Sequence, residues 1–153
     1  MNIKIYTIDK KGKNEIYEPL LKHYAKIAKP FAKVEVVDIF NNKIAKAQEQ
    51  NATLAQKAYT NAFENYLKGG FNIALTPNGE EVDSFEFAKL LQDKQNVSFF
   101  IGGAYGFEEN FLKMCERKVS FGKITMSHKL VKVVLLEQIY RALTINNNHP
   151  YHK

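Results

Sequence analysis

Short segments rich in β-branched and aromatic residues alternate with segments of helical periodicity along the chain. Strands are predicted at residues 3–8, 34–39, 71–75 and 97–101, with a weaker one at 119–126. Helices are predicted near residues 15–28, 43–67, 84–92, 108–116 and 129–145. This alternation indicates an α/β fold with a mostly parallel sheet flanked by helices. The segments around Ala74 and Phe99 are apolar along both faces, so we expect them in the middle of the sheet.

The size and composition of the chain fit one domain. Its 153 residues, 45% of them hydrophobic, can bury one ordinary core, and we expect a single domain over residues 1–153. It contains no apolar run long enough for a membrane helix and no basic head followed by an apolar run at the N-terminus, so we expect a cytoplasmic protein. The single cysteine, Cys115, has no internal disulfide partner and is expected to pack in the core.

The net charge of +6 predicts attraction to polyanions, of which nucleic acid is the commonest. Lysines are scattered through the first half of the chain, as they also are in ordinary lysine-rich soluble proteins. The composition therefore permits an RNA partner without identifying one.

Two glycine-bearing loops follow the apolar strands, and ligands of open α/β folds bind at the carboxyl ends of strands. In the loop at residues 75–81, Pro77 and Gly79 favour a rigid turn, which could contact a flat ligand. Alternatively, the loop only connects a strand to a helix that is capped by Asp83 or Ser84. The loop at residues 101–106 has three glycines, which let the backbone approach a nucleotide-like ligand. A tight structural turn is the alternative there.

A third region, residues 120–128, leads into the last predicted helix. Ser127 is a plausible N-cap, which places His128 in the first turn. A histidine at a helix N-terminus could act as a neutral hydrogen-bond partner, or it could be an ordinary surface or packing residue.

The last predicted helix, residues 129–145, is apolar around most of its circumference. Such a helix can be covered by its own sheet and a second copy of the protein, or be enclosed within one chain. Glu137 and Arg141 are four residues apart on it and can pair. The chain ends on Tyr151, His152 and Lys153, which could grip a base and its phosphate or form a disordered tail.

Five motifs occur in a fixed order: Phe100-Ile101-Gly102-Gly103-Ala104-x-Gly106, Ser120-Phe121-Gly122-Lys123-x-Thr125, His128-x-Leu130, Leu136-Glu137-Gln138-Ile139-Tyr140-Arg141-Ala142 and Tyr151-His152-Lys153. Together they resemble the RlmH family of small SPOUT-class methyltransferases, and the first half of the chain does so more loosely. Two residues depart from the family pattern. Ser127 stands where the family usually has proline, and Lys132 stands in place of an arginine, which keeps the charge but loses the forked donor geometry.

The resemblance implies a deep C-terminal trefoil knot, in which residues 122–127 and the following helix thread through an earlier loop, and a homodimer. It also implies S-adenosylmethionine as the cofactor, with no metal, bound in the cleft between the three loops. The residues that it assigns to this cleft are Leu75, Ile101, Gly102, Gly103, Gly122, Lys123, Ile124, Thr125, Met126 and Ser127.

The resemblance further implies methylation of N3 of a pseudouridine in helix 69 of large-subunit (23S) rRNA, with that rRNA or the assembled ribosome as partner. N3 lies between two carbonyls and must lose a proton to become a good nucleophile. We hypothesise that His152 assists proton removal, while Arg141 and Lys153 stabilise charge on the carbonyl oxygens and bind phosphate. Tyr151 would stack on the base or position it. Each active site is expected to take residues from both subunits, because the tail lies near the dimer interface in the family.

Two other functions remain compatible with the sequence. One is a non-catalytic RNA-binding protein, and the other is an α/β protein that binds flavin or another nucleotide. Saturable binding of S-adenosylhomocysteine would separate an enzyme from a simple binder, and a bound chromophore would reveal flavin.

Overall fold

Strands and helices alternate as the sequence pattern predicts, in a computed structural model that describes residues 1–11 and 16–153. The strands are β1 (Asn2–Ile8), β2 (Lys33–Ile39), β3 (Phe71–Glu81), β4 (Asn96–Ile101) and β5 (Arg117–Ser120). The helices are α1 (Glu18–Ala28), α2 (Asn42–Gln50), α3 (Ala52–Phe63), α4 (Ser84–Leu91), α5 (Glu109–Met114) and α6 (His128–Asn146), with a 3₁₀ turn at Glu64–Tyr66. The predicted start of the first helix at Glu15 lies outside the described residues.

The strands of the described ranges form one parallel sheet in the order β2-β1-β4-β3-β5. β4 is the central strand, and β3 lies beside it, so the prediction for the segments around Phe99 and Ala74 is confirmed. Both faces of β4 are covered, because Phe99 and the adjacent Phe100 point to opposite faces and are both fully buried.

Each face of the sheet has its own core. On one face, Ile3, Ile5 and Phe99 belong to a cluster with apolar residues of α1, α4 and α6. On the other, Tyr6 and Phe100 belong to a cluster with residues of α3 and α5. Cys115 is buried in this second cluster, as expected for a packing residue, and burial raises the pKa of its thiol to about 12.

The prediction of one long helix over residues 43–67 is wrong. The chain forms α2 and α3 instead, and the break falls at Asn51, whose backbone is extended. The Asn51 side chain accepts a hydrogen bond from the backbone N–H of Leu54 at 2.9 Å, so it caps the second helix. α3 is not mainly solvent-facing, because Tyr59 and Phe63 on its inner face are buried.

The first and third loops also differ from expectation. Residues 76–81 continue β3 instead of forming a free loop, and β5 ends at Ser120, so the weak strand predicted for 119–126 is wrong beyond that residue. Leu75 and Glu80 both pair with Val119, which leaves the four residues between them as a bulge in β3. This bulge shapes the carboxyl edge of the sheet.

Two of the helix starts near this edge, those of α4 and α6, are capped by side chains. Asp83 caps α4 and forms a capping box with Glu86, and Ser127 caps α6, as the sequence predicts. α6 is not fully enclosed by its own chain, since Leu130 keeps 45% of its surface exposed. Within the described ranges, no helix is both long and apolar enough to cross a membrane.

Candidate active site

An open cleft of about 1070 Å³ lies at the carboxyl ends of β3, β4 and β5. The three glycine-bearing regions singled out in the sequence meet in it. Nine of the ten residues predicted to bind a cofactor line this cleft: Leu75, Ile101, Gly102, Gly103, Gly122, Ile124, Thr125, Met126 and Ser127. Lys123 is exposed and lies outside the lining. The structure thus brings these separate segments together, and their binding role stays a prediction.

The loop after β4 forms a tight turn that is held from outside by α3. The N–H of Gly106 donates to the carbonyl of Gly103 at 3.0 Å, and Gly106 has a φ of +73°. Gln56 on α3 donates to the carbonyl of Tyr105 at 2.8 Å. Gly103 lies so close to Tyr59 that a Cβ there would come within 2.6 Å of the phenol ring. This tight turn also lines the cleft, so the two interpretations offered by the sequence are compatible, and ligand binding by the loop stays a prediction.

The bulge of β3 and the loop after β5 are joined by Ser120. Its hydroxyl oxygen accepts a hydrogen bond from the N–H of Gly122 at 3.0 Å and lies 3.2 Å from the carbonyl oxygen of Pro77. Gly79 passes directly over β5, where a Cβ would meet the backbone nitrogen of Val119 at 2.7 Å. Ser120 was recognised from sequence only as part of a motif, and no pattern pointed to its linking role.

The first turn of α6 closes the cleft on its remaining side. Ser127 accepts a hydrogen bond from the N–H of Leu130 at 3.2 Å. His128 lines the cleft, and its Nε2 lies 3.5 Å from a carboxylate oxygen of Asp9. This location fits a residue that orders the loop preceding the helix.

A buried ionic cluster behind this turn was not found from sequence. Asp9 lies just after β1 and contacts Lys129 at 2.9 Å and Lys132 at 3.1 Å, and Lys132 also contacts Asp38 at 2.8 Å. Burial acts to raise the pKa of Asp9, but hydrogen bonds from the two lysines outweigh it and lower the pKa to about 2. The sequence feature that could have indicated the cluster is an aspartate at the end of each of two neighbouring strands. An apolar core residue is more usual at such positions.

The predicted catalytic residues form a second cluster, on the C-terminal half of α6. Arg141 lies 3.2 Å from Nδ1 of His152 and 4.9 Å from the ring centre of Tyr151. Tyr151 donates its hydroxyl hydrogen to Glu137 at 2.9 Å, and Glu137 also pairs with Arg141 as predicted. The terminal segment is therefore packed on α6, not disordered, although Lys153 itself is exposed.

Glu137 stabilises the protonated forms of Tyr151 and Arg141. Burial and the hydrogen bond to Glu137 raise the pKa of Tyr151, so its hydroxyl remains a donor. The hydrogen bond to Glu137 also raises the pKa of Arg141. The guanidinium can only donate, so Nδ1 of His152 must accept from it.

The cleft and the tail cluster are separate within one chain. Arg141, Tyr151, His152 and Lys153 are not among the described residues that line the cleft. Arg141 follows His128 by thirteen positions on α6, which corresponds to roughly 20 Å along the helix axis. One chain thus assembles the two predicted groups individually but does not bring them together.

Comparison with known proteins supports a common origin over the whole chain. A family model described as a predicted SPOUT methyltransferase matches residues 1–152. A crystal structure of a Bacillus anthracis protein whose name describes an RNA methyltransferase superposes with a TM-score of 0.53 at 14% identity, and the match covers 98% of this chain and 96% of that one. At this identity the likeness concerns the fold alone.

Three curated relatives carry the name ribosomal RNA large subunit methyltransferase H. Those from Sulfurovum sp. (strain NBC37-1), Wolinella succinogenes and Campylobacter lari are 63%, 50% and 49% identical, and each match covers 100% of both chains. Because the family model and these relatives span essentially the whole sequence, the chain belongs to the SPOUT methyltransferase family, in the group of ribosomal RNA large subunit methyltransferase H (RlmH).

Proposed function

We propose that this protein transfers a methyl group from S-adenosylmethionine to N3 of a pseudouridine in helix 69 of 23S rRNA, in the cytoplasm. The observation that carries the proposal is the meeting of three separate glycine-bearing segments in one cleft at the carboxyl edge of the sheet. The family and the names of its relatives supply the reaction class and the RNA. The methylated atom, N3, and its location on a pseudouridine in helix 69 are inferred from the resemblance of the sequence motifs to the RlmH family.

The cleft has the chemistry that this cofactor requires. Its volume is at the upper end of the range of small-molecule sites, about 300–1,000 Å³. Backbone groups of Gly102 and Gly103 lie beside the apolar side chains of Leu75 and Val131, a combination suited to a flat base with an attached ribose. When bound, the cofactor supplies the methyl group on a sulfonium. The residues of the cleft hold the donor in line with the acceptor and exclude water.

The tail cluster has the groups that the acceptor requires. Arg141 supplies a permanent positive charge, which stabilises the carbonyl oxygen that becomes negative when N3 loses its proton. His152 accepts a hydrogen bond from Arg141 at Nδ1, so this nitrogen becomes free to take a proton only when Arg141 turns to the substrate. In the proposed mechanism, binding of the pseudouridine is therefore coupled to the release of His152 as the proton acceptor.

A second copy of the chain would complete each active site. Along α6, Arg141 follows the cleft-lining residue Val131 by ten positions, about 15 Å, and none of the predicted catalytic residues lines the cleft of its own chain. Ile124 and Leu130, next to the cleft, keep 82% and 45% of their surfaces exposed, and these apolar side chains are available for a partner. We therefore propose a homodimer in which the tail of one copy faces the cleft of the other, on the knotted backbone that the family resemblance implies.

Three experiments test the function and the role of the tail. Calorimetric titration with S-adenosylhomocysteine should give a saturable heat, and no heat would favour a simple RNA-binding protein. Mass spectrometry of large-subunit RNA from cells with and without the gene should show one methyl group missing from a pseudouridine in the latter. Deletion of residues 151–153 should abolish methylation yet spare binding of S-adenosylhomocysteine, and full activity of the shortened protein would refute the role of the tail.

A further inference from the structure

The tail cluster is part of a longer row of rings that runs from the exposed Phe85 to the buried Tyr140 and the partly buried Phe31. At one end, Phe85 of α4 contacts His152 edge-on, with ring centres 5.1 Å apart. At the other, Tyr151 contacts Tyr140 at 4.7 Å, and Tyr140 contacts Phe31 at 6.5 Å. We define the aromatic ridge as Phe85, His152, Arg141, Tyr151, Tyr140 and Phe31.

Phe85 is not needed for the packing of its own helix. It is 56% exposed, whereas Phe87 and Leu91 of the same helix are 2% and 0% exposed and carry its contact with the core. A phenylalanine left in water forgoes most of the stabilisation that burial of its ring would give. Among the exposed apolar side chains of the described residues, Phe85 is distinguished by its contact with His152, a predicted catalytic residue, so its ring is available to a substrate that reaches the tail cluster.

The charges around the ridge favour RNA over an apolar protein surface as that ligand. Arg141 and Lys153 provide cations, although Arg141 is paired with the carboxylate of Glu137, and the whole chain has a net charge of +6. The core of a protein interface is usually depleted of charged residues, whereas an unpaired base and its phosphate require a ring beside a cation. The nearby carboxylates of Asp83 and Glu86 are held by each other's backbone N–H groups, at 2.8 and 2.7 Å, in the capping box.

We propose that the aromatic ridge binds an unpaired stretch of RNA and that Phe85 stacks on a base next to the one being methylated. This inference rests on the proposed function and extends it, because it assigns a substrate-binding residue outside the cofactor cleft and the four tail residues. Stacking on an aromatic side chain tolerates any base, so Phe85 contributes affinity rather than sequence preference.

The test compares Phe85→Leu with Phe85→Tyr. Leucine keeps an apolar side chain but removes the ring, whereas tyrosine keeps the ring. Leu54→Ala is the control, since Leu54 is also exposed, at 40%, on the distant helix α3. The substrate is large ribosomal subunits from cells that lack the gene. A fluorescently labelled RNA hairpin with an unpaired loop gives a separate binding measurement by anisotropy.

We expect Phe85→Leu to raise the subunit concentration needed for half-maximal methylation, and to weaken hairpin binding, by about tenfold. Phe85→Tyr and Leu54→Ala should stay within about twofold of the unchanged protein. The affinity for S-adenosylhomocysteine should be the same in all variants. Wild-type-like RNA binding by Phe85→Leu would overturn the inference. A change in oligomeric state would overturn it too, because it would show that a second copy covers the ring.

The outcomes separate the inference from the function on which it rests. If the unchanged protein fails to methylate the subunits, the proposed function fails, and the hairpin measurement still decides whether Phe85 binds RNA. If the unchanged protein methylates the subunits and Phe85→Leu does so equally well at low subunit concentration, only the role of Phe85 is lost.

Discussion

Asp9 and Lys132 form a buried ion pair of 3.1 Å, although 123 residues separate them in sequence. The Lys132 side chain is 1% exposed and also contacts Asp38 at 2.8 Å, so one ammonium lies between carboxylates at the ends of β1 and β2. A buried ammonium is tolerated only when several acceptors surround it. The cluster fixes the start of α6, and with it the cleft-lining residue His128, to the edge of the sheet.

The first prediction concerns the loss of the Asp9 charge. Asp9→Asn leaves the buried ammonium of Lys132 and the partly buried one of Lys129 with one carboxylate fewer, and we expect the free energy of unfolding at pH 7 to fall by about 3 kcal/mol. Urea denaturation measures this change. Glu35→Gln, which removes the exposed partner of Lys33, is the control and should cost less than about 1 kcal/mol. Equal effects of the two variants would show that the buried cluster does not stabilise the fold.

The second prediction concerns pH. The pKa of Asp9 in the folded protein is lowered to about 2, below its ordinary value of 3.8, so the folded state favours the ionised form. This contribution is fully present above pH 4, where the unfolded chain is also ionised, and is lost as the pH falls through 2. The stability difference between the unchanged protein and Asp9→Asn should therefore shrink as the pH falls from 4 to 2. A difference that grows over this range would contradict the assignment.

The third prediction concerns Lys132, which stands in place of an arginine of the family pattern. Lys132→Arg keeps the charge and adds donors for the two aspartates, so we expect a stability within about 1 kcal/mol of the unchanged protein. Lys132→Met has a similar volume but leaves Asp9 and Asp38 without their shared cation, at a cost of about 3–5 kcal/mol. Thermal and urea unfolding of both variants measure the contrast. A stable methionine variant would show that the aspartates are neutralised by other groups.

The order of the elements and the position of the cleft could be predicted from the sequence, because both depend on local patterns. Apolar runs around Phe99 predict a central strand, and glycines after it predict a close turn. The break at Asn51 was missed because alanine, lysine and glutamine on both sides favour helix, and a single capping side chain decided against continuity.

Contacts between distant segments could not be read from the sequence. Asp9 carries no local signal for Lys132, since pairing depends on how α6 lies across the sheet edge. The bulge between Leu75 and Glu80 depends likewise on the register with β5. Residues of the cleft were predicted through motifs, but the roughly 20 Å along α6 between His128 and Arg141 could not be read from them.

The fourth prediction concerns the bulge of β3. In Gly79→Ala, the added Cβ would meet the backbone nitrogen of Val119 at 2.7 Å, and a strand backbone cannot move aside as a side chain can. We expect a loss of about 1–3 kcal/mol in stability and weaker binding of S-adenosylhomocysteine, because the bulge lines the cleft. Gly70→Ala, whose nearest contact would be 3.2 Å, should have a smaller effect. Unchanged binding by Gly79→Ala would place the cofactor away from the bulge.

The fifth prediction separates the tail from the cleft through Glu137. This carboxylate accepts hydrogen bonds from Arg141 and Tyr151, and Gln138 donates to its other oxygen at 2.7 Å. Glu137→Gln keeps one oxygen for Arg141 and Tyr151, but it removes the negative charge that pairs with Arg141 and turns the acceptor of Gln138 into a donor, so Arg141 and the tail are held less firmly. A displacement of about 1 Å can cost a hundredfold in rate, and we expect a decrease of about ten- to a hundredfold in single-turnover methylation.

The affinity of Glu137→Gln for S-adenosylhomocysteine should not change, because Glu137 does not line the cleft. Glu18→Gln provides a matched control, since Glu18 forms the same i,i+4 pair with Lys22 on exposed α1 at 3.9 Å. It should leave rate and affinity as they are. Glu137→Gln could instead weaken cofactor binding as strongly as it slows methylation. The assignment of cofactor binding to the cleft and of methyl transfer to the tail would then be wrong.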